Sequence, residues 1–218
     1  MRTLVKGAVP GWLQANGAAK TQEYKDAADK KPTPWRNAEI VAALEDECAK
    51  KCMYCEATID VVAYAAVEHI RPKSRFEDLV LAWSNLGLVC PKCNTNKGDY
   101  WSDEHSTQLL NPYEDVLEEH LRFQGPMVTA KLGSLRGEVT VNKIQLSREG
   151  LVWARAKRIQ ELHRILALWA SEQNADRKSL FVEEVERAVG DDQEFTGTLR
   201  AYATQQGFPV EGVETVPV

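Results

Sequence analysis

"CPKCNTNK" (90–97) sets two cysteines two residues apart and follows the second directly with an asparagine. A matching pair, "CMYC", stands at 52–55. Two residues between thiolates let both sulfurs turn onto one ion from a tight knuckle, and two such knuckles complete a tetrahedral zinc site. The repeated spacing argues against four unrelated buried thiols. A closed four-thiolate site leaves no open position, so a zinc at Cys52, Cys55, Cys90 and Cys93 is expected to be structural, stapling a motif too small to fold alone. Five cysteines in 218 residues are too few for a disulfide framework. The fifth, Cys48, lies one helical turn before Cys52, as a core-facing thiol or as a further ligand.

The segment between the pairs (56–89) is longer than the ~15–20 residues of the commonest two-knuckle ribbons. Inside it lies "VEHIRPKS" (67–74). A lone histidine is more often structural, but knuckles on both sides and Glu68 beside it shift His69 toward chemistry. Imidazole titrates near neutrality and can take a proton from water. Asn85, in "WSN", and Asn94, after Cys93, are further candidates. Each has a plain reading too: Glu68-His69 as a polar strand end, Asn85, Asn94 and Asn96 as turn formers. Arg71, Lys73 and Lys97 are phosphate contacts in one reading; by default Arg71 and Lys97 are solvent-facing charges.

The order Glu68-His69, Asn85, Cys93-Asn94, bracketed by the cysteine pairs over 52–98, resembles the zinc-stapled HNH endonucleases. The resemblance implies a ββα-metal motif in which Glu68 and Asn94 hold a divalent ion, Mg²⁺ or Mn²⁺. It makes His69 the general base and Asn85 the residue that pins the loop carrying it. Glu68 departs from the aspartate of many members and is one methylene longer. The wider set "CMYCE", "VEHIRPKS", "WSNLGLVCPKCNTNKGD" and "LLNP" is similar to the HNH nucleases of anti-phage defence operons, the PtuB-like proteins of Septu systems and their retron-associated relatives, over roughly 35–125. That likeness implies phosphodiester hydrolysis, with DNA as default substrate and RNA such as tRNA as the alternative. It also implies an ABC/SMC-like, PtuA-like ATPase partner. The chain has no G-x-x-x-x-G-K-[ST] loop, so ATP dependence must come in trans. The rival reading is a zinc-knuckle module that binds protein or nucleic acid without cutting.

An apolar share of 44% and a charged share of 27% suit a globular chain with a sizeable core. A net charge of −5 argues against non-specific coating of nucleic acid. It leaves room for local basic sites at "HIRPKSR" (69–75) and "REGLVWARAKRIQ" (148–160). No apolar run reaches the ~18–20 residues of a membrane helix. The opening "MRTLVKGAVPGWLQ" is too short and too broken for a signal peptide, so a cytoplasmic location is expected.

The expected architecture is α+β and mostly helical: a small ββα-metal core stapled by the four cysteines and flanked by N- and C-terminal helices. Residues 1–33 read as a loosely packed arm with one short helix, 34–125 as the nuclease domain, 126–210 as a helical region and 211–218 as a tail. Thr33 and Pro34 suit a helix start, with Ile40, Val41, Leu44 and Cys48 at helical spacing. "TIDVVAYAAVEHI" (58–70) reads as a strand pair or bent strand and "GEVTVNKIQL" (137–146) as one or two short strands. Ser147 suits a cap for a long helix with Leu151, Val152, Ile159, Leu162, Ile165, Leu166 and Trp169 as its stripe, followed by helices over 176–189 and 194–205. "RAKRIQELHR" (155–164) adds a basic face, and His105, His120 and His163 show no metal spacing. Trp12, Trp35, Trp153 and Trp169 read as core or interface anchors.

Overall fold

The computed structural model describes residues 1–59 and 65–210. Its elements are α1 (Gly11–Asp26), α2 (Ala38–Cys48), β1 (Ala66–His69), β2 (Leu86–Val89), α3 (Pro91–Lys97), β3 (Leu121–Gln124), β4 (Met127–Ala130), α4 (Leu135–Ile144), α5 (Glu149–Ser171), α6 (Ala175–Ala188) and α7 (Thr196–Gln205). β1 and β2 pair antiparallel, with Glu68 opposite Gly87 and His69 opposite Leu86, and α3 follows directly. β3 and β4 form a separate hairpin. The mostly helical α+β architecture and the ββα unit therefore match expectation. No helix among the described residues is long and apolar enough to cross a membrane. Residues 60–64 of the expected 58–70 strand region and the 211–218 tail lie outside the described residues; the end of that region is β1.

α2 buries Ile40, Leu44 and Cys48 on one face, as its helical spacing requires. Its start differs from expectation. Pro34 opens a single 3₁₀ turn, Pro34–Arg36, and Asn37 caps α2 by accepting from the Glu39 amide at 2.9 Å. The helix ends in two left-handed residues, Ala49 and Lys50, which turn the chain into the first knuckle. There the Cys52 amide bonds Ala57 and the Met53 amide bonds Leu88 of β2.

The N-terminal residues are not a loose arm. Met1, Leu4, Leu13 and Tyr24 are buried in the same apolar core as the cysteine knuckles and β2. The low apolar content of α1 hid this, because two anchors suffice for a helix laid on an existing surface. A second apolar core, from Ile159 to Phe208, joins α5, α6 and α7. α5 contributes to both cores, with Leu151 in the first and Ile159, Leu162 and Leu166 in the second, and Phe195 before α7 returns to the first.

The 137–146 segment is helical (α4), not extended. Ser134 accepts from the Gly137 amide at 3.1 Å, and the buried positions Arg136, Thr140 and Ile144 recur every four residues. The strands lie just before it, in β3 and β4. Ser147 does not cap α5: its hydroxyl donates to the Val128 carbonyl and accepts from the Val128 amide. Nor is the basic run of α5 wholly solvated. Arg155 is 1% exposed, donates to the Leu146 carbonyl at 2.7 Å and sits 5.5 Å from the Phe195 ring centre. Trp35 is buried, whereas Trp153 is 70% exposed.

Gly87 shows how tightly β2 meets the first knuckle: a Cβ there would stand 2.2 Å from the Met53 sulfur. Gly87→Ala is expected to destabilise the chain by about 1–3 kcal/mol through overpacking, read as a lower denaturant midpoint at unchanged slope.

Candidate active site

The four cysteine sulfurs come from two knuckles, one after α2 and one at the start of α3. Cys90 is the N-cap of α3 and accepts from the Cys93 amide, with Pro91 in the first turn. All four ligand atoms lie within 4.8 Å of one another. Zn–S bonds of about 2.3 Å give tetrahedral edges of about 3.8 Å, and the Cys55 and Cys90 sulfurs are 3.9 Å apart. The donor set fits, and the cluster can hold a metal ion such as zinc. Burial pushes the Cys52 thiol up, whereas hydrogen bonds from Cys52, Cys55 and Cys93 hold Cys90 far below the usual thiol range. Four thiolates around one divalent ion carry excess negative charge. Arg148 answers it, donating to the Cys93 sulfur at 3.6 Å. Cys48 stands apart: its thiol donates to the Leu44 carbonyl at 2.9 Å and burial pushes it up to about 11, so it is a core thiol and not a ligand.

Glu56 closes the first knuckle in the left-handed region, a conformation that costs a non-glycine residue about 1 kcal/mol or more. Its buried carboxylate takes the Gly197 amide at 2.9 Å and the Met1 ammonium, while its carbonyl takes the Phe195 amide. The knuckle is thereby tied to the start of α7.

Beside the cysteine cluster, β1, α3 and the N-terminal elements enclose a cleft of about 1010 Å³ lined by Glu68, His69, Lys73, Asn94 and Lys97 among others. The His69 ring is buried, with Nε2 3.0 Å from the Val80 carbonyl. A carbonyl only accepts, so Nε2 carries the proton and Nδ1 keeps a lone pair. Burial, opposed by Val80 and helped by Lys73 and Lys97, pulls the imidazole down to about 4. At neutral pH the ring is uncharged and able to accept a proton.

Asn85 ties the loop between β1 and β2. It accepts from the Arg71 amide at 2.7 Å and donates to the Arg71 and Leu79 carbonyls, each at 3.1 Å. Val80, which holds His69, follows Leu79 directly. Asn85→Ala is expected to leave buried polar groups unpaired at about 1–3 kcal/mol each and to release the Arg71 amide to hydrogen exchange ahead of the β2 amides.

Glu68 and Lys97 form a buried ion pair at 2.6 Å, and Lys97 also donates to the His69 carbonyl at 2.9 Å. Lys97 is 2% exposed, so it is not a solvent-facing charge; its ammonium faces the Glu68 carboxylate instead. Burial pushes Glu68 up, with Lys97 opposing. Glu68 and Asn94 both line this cleft, and a carboxylate and an amide are donor types that suit a hard divalent cation with water or phosphate in the remaining positions. Any such ion would share the carboxylate with Lys97. Arg71 is not in this cleft. It lines a separate pocket of about 360 Å³, with its guanidinium 5.2 Å from the Trp101 ring centre. The cleft also holds residues that the sequence offered no reason to choose: Tyr24, Lys31, Trp35 and Arg36, all upstream of the first knuckle.

Residues 52–100 match the family model described as HNH endonuclease. The chain is 30% identical over 165 residues to "Septu protein PtuB" of Bacillus thuringiensis, covering 73% of this chain and 62% of that protein. It is likewise 30% identical over 177 residues to "Septu protein PtuB" of Bacillus mycoides, covering 67% of this chain and 59% of the relative. The chain thus spans about three fifths of the length of these relatives.

Proposed function

We propose, from the match of residues 52–100 to the HNH endonuclease family model, that the chain hydrolyses phosphodiester bonds in nucleic acid, DNA foremost, with His69 as general base. One observation carries the reading: a neutral imidazole, fixed through Nε2 on the Val80 carbonyl, lines one cleft with Glu68 and Asn94.

In this reading Nδ1 of His69 accepts the proton of a water that attacks the scissile phosphorus as the opposite bond to the 3′-oxygen breaks, and that oxygen takes a proton from solvent, giving 5′-phosphate and 3′-hydroxyl ends. Glu68 and Asn94 would hold the Mg²⁺ or Mn²⁺, and Asn85 fixes the loop that presents Val80 to the ring. Such an ion, when bound, supplies charge neutralisation at the phosphate and the leaving oxygen. Lys97 compensates the Glu68 carboxylate and holds the His69 backbone. Lys73 faces the incoming phosphate from the cleft wall, while Arg71 contacts nucleic acid only outside it. The zinc at the four cysteines is structural.

Likeness to the Septu proteins supports a role as effector of an anti-phage system, acting in the cytoplasm with a PtuA-like ATPase of the ABC/SMC kind. The absence of a phosphate-binding loop in the chain fits that arrangement. The test is cleavage of duplex DNA and of tRNA by the purified chain with Mg²⁺ or Mn²⁺ and its ATPase partner. Cut DNA is expected; cut tRNA alone would move the substrate to RNA, and no cleavage of either would leave a binding module.

A further inference from the structure

The cleft has a wall that the endonuclease reading does not use. It comes from the segment upstream of the first knuckle, and its centre is Trp35. The indole meets the His69 imidazole edge to face, with ring centres 4.8 Å apart and planes at 90°. On another side it meets Tyr24 of α1, at 5.8 Å and 69°. The Lys73 ammonium also sits over it, 5.5 Å from the ring centre. Trp35 itself has little freedom. It is 7% exposed and lies in the 3₁₀ turn closed by the Arg36 and Asn37 amides, directly before the cap of α2.

We infer that Trp35 is a positioning residue for His69 and Lys73. The Val80 carbonyl fixes one nitrogen of the imidazole but leaves the ring free to tilt about that single bond. A perpendicular aromatic contact removes the tilt, since such pairs have a preferred geometry as well as buried area. The face of the same indole attracts the Lys73 ammonium, which confines a long, mobile side chain to the cleft wall. One ring therefore sets the mutual placement of a base and a cation supplied by residues four apart on the loop side. Lys97 does the corresponding work from beneath, on the His69 backbone. The upstream segment is thus part of the site rather than an appendage to it.

The inference rests on His69 being the base, but its first readout does not. The zinc-loaded chain is labelled with ¹⁵N in its imidazoles, and the His69 tautomer is read at neutral pH without added Mg²⁺. Wild type is expected to show one tautomer, protonated on Nε2, and Trp35→Leu an average of two. Trp35→Phe, which keeps an aromatic ring, is expected to restore the single tautomer. In the cleavage assay Trp35→Leu is expected to lower kcat about a hundredfold with little change in KM, because a misplaced base costs rate more than binding. Trp35→Phe is expected to recover most of it. A Trp35→Leu protein with a single tautomer and wild-type kcat would overturn the inference. So would a folded Trp35→Phe protein that loses either, which keeps the test decisive if the leucine variant fails to fold. A wild-type chain that shows one tautomer but cuts nothing would sink the endonuclease reading and leave the positioning result standing.

Discussion

His69→Ala is expected to abolish cleavage while leaving the fold intact. The imidazole is uncharged at neutral pH and keeps its lone pair on Nδ1 because Val80 takes the Nε2 proton. Removal of the proposed base is expected to cost about 10²–10⁴ in rate. The variant loses the Val80 hydrogen bond and an edge-to-face contact with Trp35, together about 1–3 kcal/mol, but no partner of the zinc cluster, so it should fold with a lowered melting transition and wild-type zinc content. Measured side by side on the same DNA with Mg²⁺ or Mn²⁺, cleavage by His69→Ala at the wild-type rate would remove this residue from the mechanism.

The second large effect concerns the cysteines. Zinc on a four-thiolate site contributes about 10–16 kcal/mol in small zinc peptides, against a total domain stability of about 5–15 kcal/mol. Cys93→Ser, or exhaustive chelation, is therefore expected to abolish cooperative unfolding of the first core. Calorimetry with metal analysis checks it: about one zinc per folded chain is expected, and a chain that melts normally without metal would show the knuckles to be something else. The loss should spread beyond the ββα unit, because β2, the first knuckle, Leu4 and Leu13 share one core.

The features legible in the sequence are those set by local spacing. Two C-x-x-C pairs announce a thiolate cluster at any fold, and α2 and α5 show apolar residues at helical intervals. Where long-range packing decides, the sequence is silent or misleading. Val139, Thr140 and Val141 favour strands by their branching, yet the buried period of α4 is carried by Arg136, Thr140 and Ile144, two of them polar, so no apolar stripe marks the helix. Lys97 looked like a surface charge because nothing in "NTNKGD" reveals that β1 delivers a carboxylate to it. Trp35 lies before the first knuckle, with no spacing rule to tie it to His69. Cys48 needed the structure to separate a core thiol from a ligand.

α5 crosses from one core to the other without a break. Its first residues reach the cysteine cluster through Arg148 at the cap, its middle seats Arg155 under Phe195, and its last turns close the second core with Leu162 and Leu166. Such a beam is shared property. Cutting the chain anywhere along it would open both cores at once, so the minimal piece able to keep the cysteine knuckles in shape has to run well past the residues that match the family model.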